Sequence, residues 1–326
     1  MLLATALLII GLLLVVYSAD RPGLCRLHPV SLLGIPPLII GMTVVSIGTS
    51  LPEIMVATAA SLHGQTDLAV GTALGSNITN ILLILGLAAL LRPFTVHSDI
   101  LRPRITANVA GSAVLAGLVL YDGQLTRLDG LFLLALALLW LLFTIKIARL
   151  AERQGSDSLT REQLAELPRE GSLPVALLWL GVAMIVMPMA TRMVVDNSTV
   201  LANYFAISEL TVGLTVVAIG TSLPELATAI AGARKGEDDI AIGNIIGANI
   251  LNIALVLGLP ALIAPGSFAT EAFTRDYGVM LLVSLIFAVL CWRRQQQPGR
   301  LVGALLVGGF VVWLAMLFWT APLFVE

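Results

Sequence analysis

Two glutamates are the strongest candidates for chemistry in this chain. Glu53 ends the stretch GMTVVSIGTSLPE (residues 41–53), and Glu225 ends GLTVVAIGTSLPE (residues 213–225). Eleven of the thirteen positions are identical, and the copies lie 172 residues apart. In each copy a proline interrupts an apolar run, and a proline inside a helix removes one N–H and displaces the carbonyl four residues earlier. The pattern predicts two helix breaks, each with carbonyl oxygens turned away from the helix beside a carboxylate.

A second matched pair of stretches follows in each half of the chain. Residues 67–86 and 239–258 agree at eleven of twenty positions with the same offset, and each contains the pattern GxNIxN. The chain is therefore an internal duplication. Side-chain oxygens from both copies are expected to converge on one site, and the candidate ligands are Glu53, Glu225, Thr49, Thr221, Ser50, Ser222, Ser76, Asn80 and Asn252.

An all-oxygen site of this kind favours a hard cation. Ca²⁺ takes about 6–8 oxygen ligands, and the candidate set holds no thiolate or imidazole that would favour a softer metal. One Ca²⁺ or two Na⁺ would balance two carboxylates, and each carboxylate could instead take a proton. Ions that compete for the same oxygens are what an exchanger requires.

The composition is that of a membrane protein. The 326 residues are 58% hydrophobic and 12% charged, with a mean hydropathy of +0.98, whereas soluble domains carry about 25% charged residues. The lipid bilayer is thus an expected partner. A net charge of −2, without any basic run, argues against a nucleic-acid partner, and the sequence carries no signal for an oligomeric state.

Ten segments are long and apolar enough to be membrane helices of about 20 residues. Five of them fall in each half, which predicts an all-α polytopic protein with repeats at residues 1–148 and 173–326 and a polar linker at 149–172. The segments are Met1–Ala19, Leu33–Ala60, Leu68–Leu91, Ile105–Tyr121, Leu128–Ala148, Leu173–Ala190, Ile207–Ala233, Ile240–Ala264, Tyr277–Trp292 and Leu301–Thr320.

The distribution of positive charge predicts the orientation. Of the 18 Lys and Arg, 15 follow odd-numbered segments and three (Arg127, Arg192 and Arg275) follow even-numbered ones. Positive charge near helix ends is kept in the cytoplasm, so the linker is expected there and both termini on the other side of the cytoplasmic membrane. Five helices per repeat turn the second repeat upside down, as in many secondary transporters, which bind substrate near the midplane.

The same motifs carry a family resemblance. GTSLPE followed by GSNIxN, and GTSLPE followed by GANIxN, resemble the two alpha-repeats of the cation/calcium exchanger superfamily, most closely its prokaryotic sodium/calcium exchangers. The resemblance implies ten helices in two inverted repeats. The second, third, seventh and eighth are broken and form the ion-binding core, and the first and sixth slide across it.

The resemblance also assigns roles to residues. Glu53 and Glu225 would be shared ligands of Ca²⁺ and Na⁺, with Ser50 and Ser222 beside them. The remaining implied ligands are the main-chain oxygens of Thr49 and Thr221, the carbonyls of Ser46 and Ala218 at flanking sodium sites, the hydroxyl of Ser76 and the central side chain of Asn80.

Two positions depart from the family pattern. Asn252 stands where an aspartate is common, and Ala248 stands where a serine is usual. The first change leaves two carboxylates, so three bound Na⁺ would give the core a charge of +1. The second removes an oxygen from one flanking sodium site.

The sequence thus predicts a Ca²⁺/Na⁺ antiporter with no cofactor and no enzymatic activity. The alternatives are Ca²⁺/H⁺ exchange at the same glutamates, K⁺-dependent exchange, a passive channel, and an intramembrane enzyme. The enzyme is disfavoured because the chain has no HExxH motif and no nucleophile paired with a base. In addition, acid–base catalysis requires two different carboxylate environments, whereas Glu53 and Glu225 occupy equivalent positions.

Overall fold

The computed structural model of the chain describes residues 1–32, 46–93, 106–154, 173–235, 238–292 and 299–320. These residues are almost entirely helical, with one pair of very short strands. The elements are α1 Leu2–Leu32, α2 Ser46–Thr49, α3 Leu51–Leu62, α4 Thr66–Leu91, α5 Thr106–Leu120, β1 Gln124–Leu125, α6 Arg127–Gln154, α7 Leu173–Phe205, α8 Glu209–Thr221, α9 Leu223–Lys235, α10 238–263, β2 Gly266–Ser267, α11 272–292 and α12 Arg300–Thr320.

Several of these helices have the length and composition of membrane spans. Among the described residues five qualify, within α4, α6, α10, α11 and α12, and the bent pair α8 and α9 makes a sixth if it is counted as one span. Shorter apolar helices lie at Leu2–Tyr17, Leu51–Leu62 and Asn108–Leu120. The predicted second segment begins on residues 33–45, outside the described ranges, so the count of ten stays a prediction.

Helices α4 and α10 form the centre of the molecule. Their apolar windows are 78% and 83% buried, whereas those of α6, α11 and α12 are only 28% buried. The outer helices expose large apolar side chains such as Leu301, Val312 and Trp319, as expected of surfaces that contact lipid. The two central helices carry the duplicated GxNIxN stretches, so the duplication occupies the core.

Close backbone contact joins α4 to α8. A Cβ atom at Gly75 would lie 2.4 Å from the Leu214 carbonyl oxygen, and one at Gly71 would lie 2.5 Å from the Leu210 carbonyl oxygen. Any side chain at either position, even the methyl group of alanine, would force the helices apart, so glycine is required at both. This packing brings the third predicted segment of the chain, in the first repeat, against the seventh, in the second repeat.

Helix α7 is longer than its apolar sequence predicts. The prediction ends at Ala190, but the helix continues to Phe205 and has 33 residues. In its polar last part, Asn197 Nδ2 and Thr199 Oγ1 donate to carbonyl oxygens one turn earlier, at 2.8 and 3.2 Å, so these side chains have partners within the helix. At about 1.5 Å per residue α7 is longer than the hydrocarbon thickness of a bilayer, which is about 30 Å.

Two other helices also extend beyond their predicted C-terminal ends. Helix α1 runs to Leu32, beyond the predicted end at Ala19. Helix α6 continues to Gln154, so the first six residues of the predicted linker are helical. The rest of that linker lies outside the described residues.

A small antiparallel sheet connects the two halves of the chain. Gln124 pairs with Ser267, and Leu125 pairs with Gly266. Next to the sheet, the backbone N–H of Ala269 donates to Asp67 Oδ1 at 2.6 Å. The connection before α6 and the connection after α10 are thereby attached to each other and to the start of α4.

Candidate cation site

Each predicted helix break is one residue long. Helix α2 ends at Thr49 and α3 begins at Leu51, while α8 ends at Thr221 and α9 begins at Leu223. The second break bends the chain by 46°. Each proline is the second residue of the following helix, where a backbone N–H has no intrahelical acceptor in any case. Each glutamate lies in the first turn of its helix, where the helix dipole stabilises negative charge.

Reciprocal hydrogen bonds link the two breaks. Ser222 Oγ donates to Glu53 Oε1 at 3.1 Å, and Ser50 Oγ donates to Glu225 Oε1 at 3.3 Å. Both glutamates are 1% exposed. The serine of each repeat therefore contacts the carboxylate of the other, and the four side chains form a single buried cluster.

Several oxygens near these breaks and in GxNIxN are buried and have no hydrogen-bond partner among the described residues. A buried polar atom without a partner is rare and requires an explanation. A hard cation would supply one, because it takes oxygen ligands only. The oxygens are Glu53 Oε2, Glu225 Oε2, Ser76 Oγ, Asn77 Oδ1, Thr79 Oγ1, Asn80 Oδ1 and Asn252 Oδ1.

Asn249 orients the amide of Asn80. Asn80 Nδ2 donates to Asn249 Oδ1 at 3.0 Å, and Asn77 Nδ2 donates to the Asn249 carbonyl oxygen at 3.2 Å. These bonds use one N–H of each amide and orient both side chains, so the carbonyl end of Asn80 is available to a ligand.

The asparagines at the end of each motif also begin π-helical stretches. One stretch is Asn80–Leu85 and the other is Asn252–Leu257, at the same 172-residue offset. Such stretches widen the helix and occur frequently at functional sites. The third and eighth predicted segments thus share an irregularity that hydropathy does not reveal.

The predicted carbonyl ligands differ from the expectation in one respect. The carbonyl oxygens of Ser46 and Ala218 were expected to turn away from their helices, but each accepts the N–H four residues later, Ser50 and Ser222, at 3.1 Å. The break is too short to free them. Each of these oxygens has a second lone pair, which Thr49 Oγ1 and Thr221 Oγ1 approach at 3.2 and 3.4 Å.

Asn244 is a residue of the site that the sequence reasoning missed. Its Oδ1 accepts from Ser46 Oγ at 3.4 Å and from Thr49 Oγ1 at 3.3 Å. Its partner at the 172-residue offset is Thr72, and both are polar residues within apolar runs. This unequal polar pair was the signal that could have identified it.

The negative charge of the site comes from two carboxylates. Within the described ranges, no group of three or more His, Cys, Asp and Glu residues lies close enough to hold a metal ion. Neutral amides and hydroxyls from both repeats complete the set. This arrangement can bind one divalent or two monovalent hard cations without leaving net charge in the protein interior.

The fold and these contacts define a helical membrane protein with a buried, oxygen-lined cluster that is a candidate cation site. The sequence pattern of the family described as "Sodium/calcium exchanger protein" matches residues 3–146 and 175–319. The chain belongs to this sodium/calcium exchanger protein family.

Similar proteins include one named as an inner membrane protein and two named as transporters. "Inner membrane protein YrbG" of Escherichia coli K12 is 74% identical over the full length of both chains. "Putative antiporter CaxA" of Alkalimonas amylolytica is 39% identical, covering 98% of this chain and 99% of the relative. "Sodium/calcium exchanger MaX1" of Methanosarcina acetivorans is 30% identical, covering 96% and 98%.

A solved structure of the sodium-calcium exchanger NCX_Mj, soaked with 100 mM Na⁺ and 10 mM Sr²⁺, has a TM-score of 0.66 and 28% identity to this chain. The match covers 96% of this chain and 98% of that one. The names of MaX1, CaxA and NCX_Mj describe exchangers or antiporters rather than enzymes.

Proposed function

We propose that this chain is a secondary active antiporter of the inner membrane that exchanges Ca²⁺ for Na⁺ by alternating access. Its ten helices form two inverted repeats, joined by a cytoplasmic linker, with both termini on the non-cytoplasmic side. The name of MaX1 supports Na⁺ and Ca²⁺ as the exchanged ions, and the name of YrbG supports a location in the inner membrane. The two stretches matched by the family pattern coincide in extent with the two repeats, which supports the duplication.

The observation that carries the proposal is the reciprocal bonding between Ser222 and Glu53 and between Ser50 and Glu225. It places the two carboxylates in one cluster, each with its second oxygen free of protein partners among the described residues. Two Na⁺ or one Ca²⁺ would each balance this charge of −2, so the ions compete for the same oxygens.

Charge compensation also accounts for coupling. An ionised carboxylate at the bilayer centre costs about 2.5–3.5 kcal/mol even on lenient insertion scales. An empty site with two carboxylates is therefore less able than an occupied one to switch its opening from one side of the membrane to the other. Each conformational change then carries either Ca²⁺ or Na⁺, which makes the two fluxes interdependent.

Calcium-isotope uptake into everted membrane vesicles tests this function. With Na⁺ loaded inside the vesicles, a Na⁺ gradient is expected to drive Ca²⁺ uptake by the unmodified protein, and Glu53→Gln is expected to abolish it. Glu271→Gln is the matched control, because Glu271 is an exposed carboxylate outside the cluster. Ca²⁺ uptake that does not depend on the Na⁺ gradient, or that persists in Glu53→Gln, would contradict the proposal.

The same vesicles separate the related mechanisms. Uptake driven by a pH gradient in the absence of Na⁺ would indicate Ca²⁺/H⁺ exchange at the same glutamates. A requirement for K⁺ together with Na⁺ would indicate K⁺-dependent exchange. Saturable flux that needs a counter-ion on the opposite side would exclude a passive channel.

A further inference from the structure

The cation site has two ends that the duplication makes equivalent in sequence position but not in chemistry. We call the end containing Ser46, Thr49, Asn244 and Ala248 the Ser46 flank, and the end containing Ala218, Thr221, Thr72 and Ser76 the Ala218 flank. The members correspond pairwise at the 172-residue offset, and only the threonine pair 49/221 is identical.

The packing of the central helices places these residues at opposite ends. Helix α10 reaches the first flank through the bonds of Asn244 to Ser46 and Thr49. Helix α4 reaches the second, because Gly75, next to Ser76, packs within contact distance of Leu214 and Ala218. Each flank therefore combines the broken helix of one repeat with the central helix of the other.

Asn244 makes the Ser46 flank poor in available oxygen. An amide oxygen has two lone pairs, and Asn244 Oδ1 lies within hydrogen-bond distance of the hydroxyls of Ser46 and Thr49, at 3.4 and 3.3 Å. The Thr49 hydroxyl shares its single proton between this oxygen and the Ser46 carbonyl oxygen at 3.2 Å. The amide nitrogen is a buried donor without a hydrogen-bond partner among the described residues. Ala248 adds no oxygen where Ser76 has one on the other flank.

The Ala218 flank has the opposite character. Thr72 Oγ1 donates to the Leu68 carbonyl oxygen of its own helix at 2.7 Å, so it presents no donor to the site. Ser76 Oγ is buried and has no partner among the described residues. A cation at this flank meets an available hydroxyl oxygen, whereas the amide oxygen at the Ser46 flank is already engaged by two hydroxyl groups.

We propose that Asn244 is a specificity-determining residue that excludes a coupling cation from the Ser46 flank. One Na⁺ then binds at the Ala218 flank and a second at the shared carboxylates, and two Na⁺ balance the two carboxylates without residual charge. The identity of the coupling ion rests on the proposed function, but the inequality of the flanks rests on the contacts of Asn244.

Competition between Na⁺ and Ca²⁺ on the purified full-length protein in detergent tests this inference. Calcium-isotope binding is displaced with Na⁺, and the Hill coefficient of the displacement reports how many Na⁺ compete. The unmodified protein is expected to give a coefficient of about two, one Na⁺ for each carboxylate charge. Asn244→Asp replaces the donor with a carboxylate oxygen of the same shape, and the coefficient is expected to rise towards three.

Two further variants separate specificity from folding. Asn244→Leu removes the same hydrogen bonds and replaces the amide with an apolar side chain that fills the space and offers a cation no ligand, so its coefficient is expected not to rise. Thr72→Asn adds the amide to the opposite flank and is expected to lower the coefficient towards one while Ca²⁺ binding persists. Persistent Ca²⁺ binding shows that a variant is folded.

The outcomes distinguish the two proposals. If Na⁺ does not displace Ca²⁺ from the unmodified protein, the proposed sodium coupling is wrong and the inference falls with it. If Na⁺ does displace Ca²⁺ but Asn244→Asp has the same Hill coefficient as the unmodified protein, the inference alone is overturned. A coefficient near three in the unmodified protein would also overturn it.

Discussion

The centre of the cation site and its flanks differ in how closely the two repeats match. At the centre the residues are identical, and the two serine–glutamate bonds are nearly equal, at 3.1 and 3.3 Å. At the flank positions of the two repeats, serine corresponds to alanine at two pairs and threonine corresponds to asparagine at one. One divalent ion shared by two carboxylates requires the same ligand from each repeat, whereas each flank contacts a different pair of helices and is free to specialise.

The largest expected effect tests the equality of the centre. Glu53→Gln and Glu225→Gln are each expected to weaken Ca²⁺ binding at least about 100-fold, since removing one member of a buried charge cluster costs about 3–5 kcal/mol. Equilibrium binding of calcium isotope measures both variants against Glu271→Gln. A large loss in one variant and none in the other would show that the centre is not shared.

A smaller effect is expected from the serines of the two breaks. Ser50→Ala and Ser222→Ala each remove one hydrogen bond to a carboxylate, worth about 1.5–3 kcal/mol, and each is expected to weaken Ca²⁺ binding by at least about tenfold. The same binding measurement applies. The comparison of centre and flanks would fail if the two serine variants differed from each other by more than about tenfold.

The flanks are expected to respond to sodium instead of calcium. Ser76→Ala removes a neutral oxygen that has no protein partner among the described residues. The apparent Na⁺ affinity is expected to fall about fivefold, from about 1 kcal/mol of lost interaction, with thermal stability unchanged. Sodium displacement and thermal unfolding are measured on the same sample. An equal loss of Ca²⁺ and Na⁺ affinity would place Ser76 at the centre.

The smallest effect is expected far from the site. Arg192 and Asp196 form an ion pair at 3.6 Å, with side chains 73% and 54% exposed. Exposed pairs four residues apart in a helix contribute about 0.3–0.5 kcal/mol, so Arg192→Ala is expected to leave stability and ion binding nearly unchanged. Thermal unfolding checks this expectation, and a shift as large as that of a core variant would assign the pair an unexpected structural role.

Much of the centre was predictable because the duplication marks it twice. The repeated Thr-Ser-Leu-Pro-Glu identified the serines and glutamates, and inverted repeats bring equivalent residues together. The bonds from Ser50 to Glu225 and from Ser222 to Glu53 agree with that interpretation. The ten-helix count and the ligand roles of the individual residues stay predictions.

The flanks were harder to predict because they depend on differences between the copies. Asn244 was missed since the search followed identical residues, whereas its role appears only through contacts with Ser46 and Thr49 nearly 200 positions away. The sheet of Gln124–Leu125 with Gly266–Ser267 has no sequence signal, because two-residue strands show no alternation. The length of α7 was underestimated because hydropathy identifies only the apolar part of a helix, whereas α7 continues through polar residues to Phe205.

The central claim is that Glu53 and Glu225 hold one ion together, and calcium stoichiometry tests it most directly. Equilibrium binding on purified protein is expected to give one Ca²⁺ per chain that competes with Na⁺. Glu53→Gln, Glu225→Gln and the double variant are all expected to lose that site, with the double variant no worse than either single one. Two competing Ca²⁺ per chain, of which each single variant retains one at unchanged affinity, would contradict the account.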